Sequence, residues 1–279
     1  MPVRSYSAGD VKFDDIVGMV IVNVGNAGPM TVEVSGTKTR VNDVKVYVKD
    51  NTLRVDGSGY DNNSSVWDWN NWFNFSNDDW DRRTDNLYVK VTVPRGTNVN
   101  ISSLVGNAAI GDTEAALHLD AAVTNARIGK VASAKIDLGG DGEVDIAQVD
   151  GPLILDVGGS VKVKVGPVGS VRADIAGSGD ATFGAIAGGL TLDIAGSADV
   201  TAARVNGPTK IDIAGSGNVK IADGVANPLH VDLMGAGDFD FGGVAVDPHI
   251  DAVGSSSVRI KAYRGHLDTE GMADVKIGQ

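Results

Sequence analysis

The sequence predicts an all-β protein: a right-handed parallel β-helix of about ten short coils with an N-terminal β-strand region and an aromatic-rich insertion. The phrase Asp-Ile-Ala-Gly-Ser-Gly-Asp recurs every 17 to 20 residues through the C-terminal half, clearest at Asp174–Asp180. The copies are not separated by helix-forming segments, which favours one short β unit stacked on itself. Apolar and polar residues alternate around each copy with the period of a strand. Parallel crossovers strongly favour right-handedness.

We divide the chain into an N-terminal β region, residues 1–99, and a β-helix, residues 100–279. In the first region Val20 and Val22 share one face of a strand, as do Val32 and Val34. Asp50 and Asn51 form a good hairpin connection into the strand that follows. These features predict short paired strands ahead of the repeat.

Strand alternation places the residues of the repeat. In the copy at Asp212, the flanking Ile211 and Ile213 point to the core, so Asp212 points to water. The Ala-Gly-Ser-Gly that follows predicts a corner, with glycine permitting positive φ. A second strand then buries residues such as Val219 and Ile221. A third, looser stretch carries Ile186, Val205, Val225 and Tyr263 and returns the chain to the next coil.

Stacking turns the leading acids into a column on the surface. Ser102 holds this place in the first copy, and the acids are Asp120, Asp137, Asp156, Asp174, Asp193, Asp212, Asp232, Asp251 and Asp268. Two residues earlier lies a mostly basic column, made of His118, Lys135, Arg172, Lys210, His230, His249 and His266, which includes all four histidines. The two columns are typical of a charge-compensated, soluble β surface.

Two metal hypotheses compete with that interpretation. The acidic column offers oxygen ligands suited to Ca²⁺. The last histidines and their acids could share another divalent cation, and the candidate ligands are His230, His249, His266, Asp232, Asp251 and Asp268. Apart from such a cation, we expect no cofactor.

An aromatic-rich insertion, residues 58–83, interrupts the strand pattern. It contains all four tryptophans among asparagines and aspartates. Aromatic faces beside amides and carboxylates suit sugar rings, and covering the open end of the β-helix is the structural alternative. The candidate ligand-binding residues are Trp67, Trp69, Trp72, Phe73 and Trp80.

Composition limits the partners. The formal charge of −12 argues against a nucleic-acid partner. The absence of cysteine excludes disulfides and thiolate metal sites. We find no apolar run long enough for a membrane span and no apolar signal region near the N-terminus.

The chain resembles the bacterial head GIN domain family, labelled as auto-transporter adhesins. The resemblance rests on the order of short motifs: Phe13-Asp14-Asp15-Ile16, then Leu53-Arg54-Val55, then Tyr88-Val89-Lys90-Val91-Thr92-Val93-Pro94, then the Gly-Ser-Gly-Asp coils. It covers essentially the whole chain from about residue 11. It implies a right-handed β-helix at the periplasm or cell surface, with the signal peptide absent from this chain.

We therefore expect a non-catalytic envelope protein that contacts a glycan or another cell-surface component. Two other classes stay open. Parallel β-helices often carry polysaccharide lyases or hydrolases, although this chain lacks long loops that would wall a cleft. A self-assembling scaffold could form if strand edges pair end to end as a homo-oligomer.

Overall fold

The computed structural model describes residues 2–58, 87–271 and 274–278. The N-terminal elements are β1 (Arg4–Tyr6), β2 (Asp10–Asp14), β3 (Val17–Gly25), β4 (Met30–Ser35), α1 (Lys38–Asp43), β5 (Lys45–Lys49), β6 (Thr52–Asp56) and β7 (Tyr88–Pro94). The later strands are β8 (Val99–Ile110), β9 (Ala116–Val131), β10 (Ser133–Leu138), β11 (Gly142–Val157), β12 (Ser160–Val165), β13 (Val168–Ile186), β14 (Leu190–Gly215), β15 (Asn218–Ile221), β16 (Gly224–Gly235), β17 (Asp238–Val246), β18 (His249–Gly254), β19 (Ser257–Arg264), β20 (Asp268–Gly271) and β21 (Asp274–Ile277).

The repeat forms a parallel β-solenoid, as predicted. Each coil pairs with the next in parallel register, so equivalent residues of successive copies lie side by side; β13 and β14, for example, align Asp174 with Asp193. The solenoid has about nine turns, slightly fewer than the predicted ten.

The core lies inside the solenoid and follows the predicted alternation. Ile211, Ile213, Val219 and Ile221 are all buried. Successive side chains of a strand point to opposite faces. The residues that alternate with the buried ones therefore form the polar outward face.

The third stretch buries Ile186 and Val205, whereas Val225 and Tyr263 are 42% and 45% exposed. Val205 aligns with Gly224, so the register puts Val225 one residue further on and turns it outward. For Tyr263 the cause is the end of the stack, since β21 pairs with β19 only from Ser257 to Ile260.

Glycine in the predicted corner has two functions. Gly196 has a φ of 142°, which side chains rarely adopt. A Cβ atom there would lie 2.2 Å from the carbonyl oxygen of Gly177 in the previous coil. Gly215 has a φ of 140°, and a Cβ atom there would lie 2.2 Å from the carbonyl oxygen of Gly196. The corner glycines therefore stack on one another and let the coils approach closely.

The N-terminal strands join the solenoid out of chain order. Strand β2 pairs in parallel with both β6 and β8, and β3 pairs in parallel with both β7 and β8. Hydrogen-bonded pairing thus crosses residue 99, the predicted boundary between the two regions. The end coil, made of β6 and β7, pairs with β5 and β4 in antiparallel fashion.

The connection between β5 and β6 is the predicted hairpin, since both Asp50 and Asn51 have positive φ. Helix α1 was not predicted, because six residues are too few to show helical periodicity.

Candidate functional site

An acid ladder runs the length of the solenoid. We define it by strand register and, from Ser102 to Asp120 and from Asp193 to Asp212, by the sequence repeat. Its members are Asp56, Asp14, Ser102, Asp120, Asp137, Asp156, Asp174, Asp193, Asp212, Asp232, Asp251 and Glu270. The first two members belong to strands that precede the repeat. The last member corrects the sequence prediction, because Glu270, and not Asp268, aligns with Asp251.

A base ladder lies two residues earlier on the same outward face. Its members are Arg54, Lys12, Asn100, His118, Lys135, Ile154, Arg172, Thr191, Lys210, His230, His249 and Asp268. Asp268 is therefore a carboxylate among the bases, directly beside His249.

His266 was predicted in this ladder and lies outside it. Nineteen residues separate His249 from Asp268, the usual repeat, so Asp268 takes the place expected for His266. The exposed His266 instead uses its backbone N–H to bond Asp247 Oδ1 at 2.9 Å.

Ion pairs connect the two ladders. Lys12 Nζ lies 2.6 Å from Asp14 Oδ1, and Lys135 Nζ lies 2.7 Å from Asp137 Oδ2. Lys210 pairs with Asp212 in the same way. The hydrogen bond from the lysine to its aspartate raises the pKa of Lys135 and of Lys210. The side chains of Lys135 and Lys210 are about half exposed, so such pairs contribute little to folding and leave the cations accessible.

The two ends of the acid ladder differ electrostatically. At one end, hydrogen bonding from Ser58 lowers the pKa of Asp56. Near the other end, partial burial and the adjacent Asp212 carboxyl raise the pKa of Asp232, and the nearby His230 opposes that shift.

A groove follows the base ladder over the N-terminal coils. It has a volume of about 520 Å³ and crosses β6, β2, β8, β9, β10 and β11. At ~4.8 Å per strand, six adjacent strands span about 24 Å. Its charged lining residues are Arg54, Lys12 and Lys135 together with the acid Asp10, so bases outnumber acids. A length of about 24 Å fits an extended ligand.

Uncharged groups complete the groove. Asn98 and Asn100 offer amides, Thr52 offers a hydroxyl, and Pro152 and Ile154 offer apolar surface. The 40% exposure of Ile154 leaves part of that apolar surface open to a ligand. Cations, amides and apolar patches in one groove suit an extended ligand that carries both hydroxyls and acidic groups.

A different arrangement occupies the C-terminal part of the base ladder. The imidazole rings of His230 and His249 stack with centroids 4.6 Å apart and planes 15° from parallel. Asp232 Oδ2 lies 3.3 Å from His230 Nε2, and Asp268 Oδ2 lies 2.9 Å from His249 Nδ1. One ligand atom from each of His230, Asp232 and His249 lies within 4.8 Å of the others.

The other predicted site residues divide into two groups. Asp251 aligns with Asp232 in the acid ladder and is not part of the cluster of His230, Asp232 and His249. The aromatic candidates Trp67, Trp69, Trp72, Phe73 and Trp80 lie outside the described residues.

Sequence reasoning missed Lys12 and Arg54, because both precede the repeat. A signal was present: Lys12-Phe13-Asp14 and Arg54-Val55-Asp56 have the same base–apolar–acid order as Lys210-Ile211-Asp212.

Comparison with known proteins found neither a matching family model nor a matching curated protein. Three solved structures are similar to this chain, and each alignment covers 99% of this chain and 95% of the other protein. They are proteins named "putative adhesin" from Bacteroides fragilis (15% identity, TM-score 0.35), Parabacteroides distasonis (12% identity, TM-score 0.37) and Parabacteroides merdae (12% identity, TM-score 0.34). Within the described residues, every helix is too short or too polar to span a membrane.

Proposed function

We propose that this protein is a non-catalytic, adhesin-like β-solenoid of the bacterial periplasm or cell surface, and that its groove binds an acidic glycan. Membership of the head GIN family is part of this proposal and rests on the order of the sequence motifs. The groove along the N-terminal base ladder is the observation that carries the proposal.

The charges of the groove favour acid groups on the ligand. Lys12 and Lys135 carry ammonium groups, and their side chains are 28% and 53% exposed. A uronate or sulfate could accept hydrogen bonds from these cations while they remain near their aspartates. Since the chain as a whole is acidic, binding of an anion depends on this local arrangement rather than on net charge.

The periodicity of the groove favours a polymer. Coils repeat at ~4.8 Å, so equivalent polar groups recur along a straight line and can meet successive units of an extended chain. Beside the groove, Asp14 and Asp137 lie on an open strand face in ion pairs with Lys12 and Lys135. This arrangement favours binding over hydrolysis, which needs a pair of carboxyl groups on either side of the scissile bond.

The test is a glycan array followed by calorimetry with an acidic oligosaccharide, for which oligogalacturonate is the first probe. We expect Lys135→Ser to weaken binding about tenfold, since hydrogen bonds to charged groups contribute about 1.5–3 kcal/mol. Lys210→Ser is the matched control, because Lys210 has the same ladder position and the same aspartate pairing but lies outside the groove.

Equal losses for the two lysine variants would point to general electrostatic attraction and contradict the groove. Failure of every acidic glycan to bind the unchanged protein would remove the proposed function itself. The oligosaccharide should also be recovered uncleaved, and release of reducing sugar would favour the enzyme class.

The aromatic insertion is proposed as a second contact. Strand β6 supplies Thr52 and Arg54 to the groove and leads, a few residues later, into the insertion. A sugar ring that leaves this end of the groove could therefore meet the tryptophans. Trp69→Ala combined with Trp72→Ala should weaken binding on the same array, and unchanged binding would confine the contact to the groove.

A further inference from the structure

We propose that His230, Asp232 and His249 form a surface site for a borderline divalent metal of the zinc class, with Asp268 as the outer carboxylate that orients His249. The site lies in the C-terminal part of the base ladder and is independent of the proposed glycan groove. It revises the ligand set expected from the sequence, because strand register removes His266 and gives Asp268 a different position.

Three ligand atoms are already close together. One from each of the three residues lies within 4.8 Å of the others. Zinc binds imidazole nitrogen and carboxylate oxygen at ~2.0–2.2 Å, so the atoms must approach by about 1 Å to share one ion. The side chains can rotate by this amount, since the exposed fractions of His230, His249 and Asp232 are 38%, 36% and 43%.

Asp268 determines which nitrogen of His249 is available. Asp268 Oδ2 lies 2.9 Å from His249 Nδ1. An ionised carboxylate only accepts hydrogen bonds, so Nδ1 carries the proton and donates it. The lone pair of Nε2 is then free for a metal. A carboxylate behind a metal-binding imidazole fixes the tautomer and raises its basicity.

The donor set selects the metal class. Two imidazoles with one carboxylate suit zinc and its neighbours, whereas Ca²⁺ prefers six to eight oxygen ligands. Three protein ligands leave a fourth position for water or for a group from another molecule.

The remaining two histidines serve as internal controls. His118 lies in the same ladder, but its register neighbours are Asn100 and Lys135, so a second imidazole does not lie beside it. His266 lies outside the ladder. All four histidines are among the described residues, so the chain provides two predicted ligands and two matched non-ligands.

The experiment is a titration of the full chain, first treated with chelator, with Zn²⁺ alone by calorimetry. We expect one strongly bound ion per chain. His230→Ala and His249→Ala should each weaken Zn²⁺ binding at least tenfold, and Asp268→Asn should weaken it about tenfold, the lower limit for an outer carboxylate. His118→Ala and His266→Ala should leave the affinity unchanged within about twofold.

Circular dichroism of each variant checks that the fold is retained, and a Co²⁺ absorption spectrum reports tetrahedral coordination directly. Absence of Zn²⁺ binding to the unchanged protein would overturn the proposal, as would equal losses in the His118→Ala and His249→Ala variants. Competition by Ca²⁺ at similar concentration would instead assign the ion to the acid ladder and also overturn it.

Discussion

The N-terminal and C-terminal parts of the base ladder share one backbone geometry and differ in chemistry. Over the N-terminal coils, Arg54, Lys12 and Lys135 pair with ladder aspartates and line a groove. Over the C-terminal coils, His230 and His249 stack on each other beside two carboxylates. One scaffold thus carries lysine and arginine cations for the proposed acidic glycan at one end and the imidazoles of the proposed metal site at the other.

This difference shows that the repeat constrains position but not chemistry. Side chains of one ladder face the solvent and are held about 4.8 Å from their neighbours, whatever their type. Substitutions in the ladder therefore change recognition at little cost to folding, whereas substitutions in the corner glycines affect the scaffold that both sites share.

The largest expected effect comes from breaking that scaffold with Gly196→Ala, between the two sites. The added Cβ would meet a carbonyl oxygen at 2.2 Å and would occupy a φ of 142°. Strained φ and overpacking each cost about 1–3 kcal/mol, so we expect a loss of about 2–6 kcal/mol in the free energy of unfolding.

Denaturation in urea measures this loss, and Gly139→Ala is the control, because a Cβ at Gly139 would meet no atom within 4 Å. Equal stability of the two variants would show that the close stacking of corner glycines is not needed.

A second prediction transfers the chemistry of one end to the other. Lys135→His would place an imidazole beside His118, and Ile154→Asp would supply the next carboxylate in the ladder, as Asp268 does for His249. The double variant should bind a second Zn²⁺ ion per chain and lose glycan affinity about tenfold.

The single variant Lys135→His is the control for this transfer and should bind the second ion more weakly, because it lacks the outer carboxylate. If the double variant still binds one ion, ladder position is not sufficient to create the site.

The smallest expected effect concerns Asp56 at the N-terminal end of the acid ladder. Its pKa is lowered by hydrogen bonding from Ser58, from an ordinary value of 3.8. A carboxyl with a lowered pKa stabilises the fold above that value, and this contribution is lost as the pH falls through the folded-state pKa. Asp56→Asn should therefore lose less stability than the unchanged protein on acidification from about pH 4 to about pH 2.

Denaturation curves at several pH values measure that difference. A steeper acid loss in the Asp56→Asn variant would reverse the assigned sign, and identical curves would show that Ser58 does not hold the carboxylate in solution.

The sequence predicted the features that depend on local periodicity. Alternation around each leading acid placed Ile211 and Ile213 in the core and Asp212 on the surface. The Asp50-Asn51 turn was equally readable, because few residue pairs adopt positive φ together.

Features that depend on register between coils could not be read in the same way. Asp268 and Glu270 are both acidic and two residues apart, so either fits the outward face, and strand pairing decides between them. Strand β2 lies between β6 and β8 in the stack, although it precedes both in the sequence. A periodic sequence pattern does not predict such an order. The groove arises from that stacking, so its lining residues come from separate parts of the sequence.

The four histidines allow one measurement of the central claim, that the two ends of the base ladder bind different ligands. Imidazole NMR signals of the full chain are followed during addition of oligogalacturonate and, separately, of Zn²⁺. We predict that the glycan shifts His118 alone and that Zn²⁺ shifts His230 and His249 alone, while His266 responds to neither. Shifts of the same histidines by both ligands, or equal shifts of all four, would contradict the account.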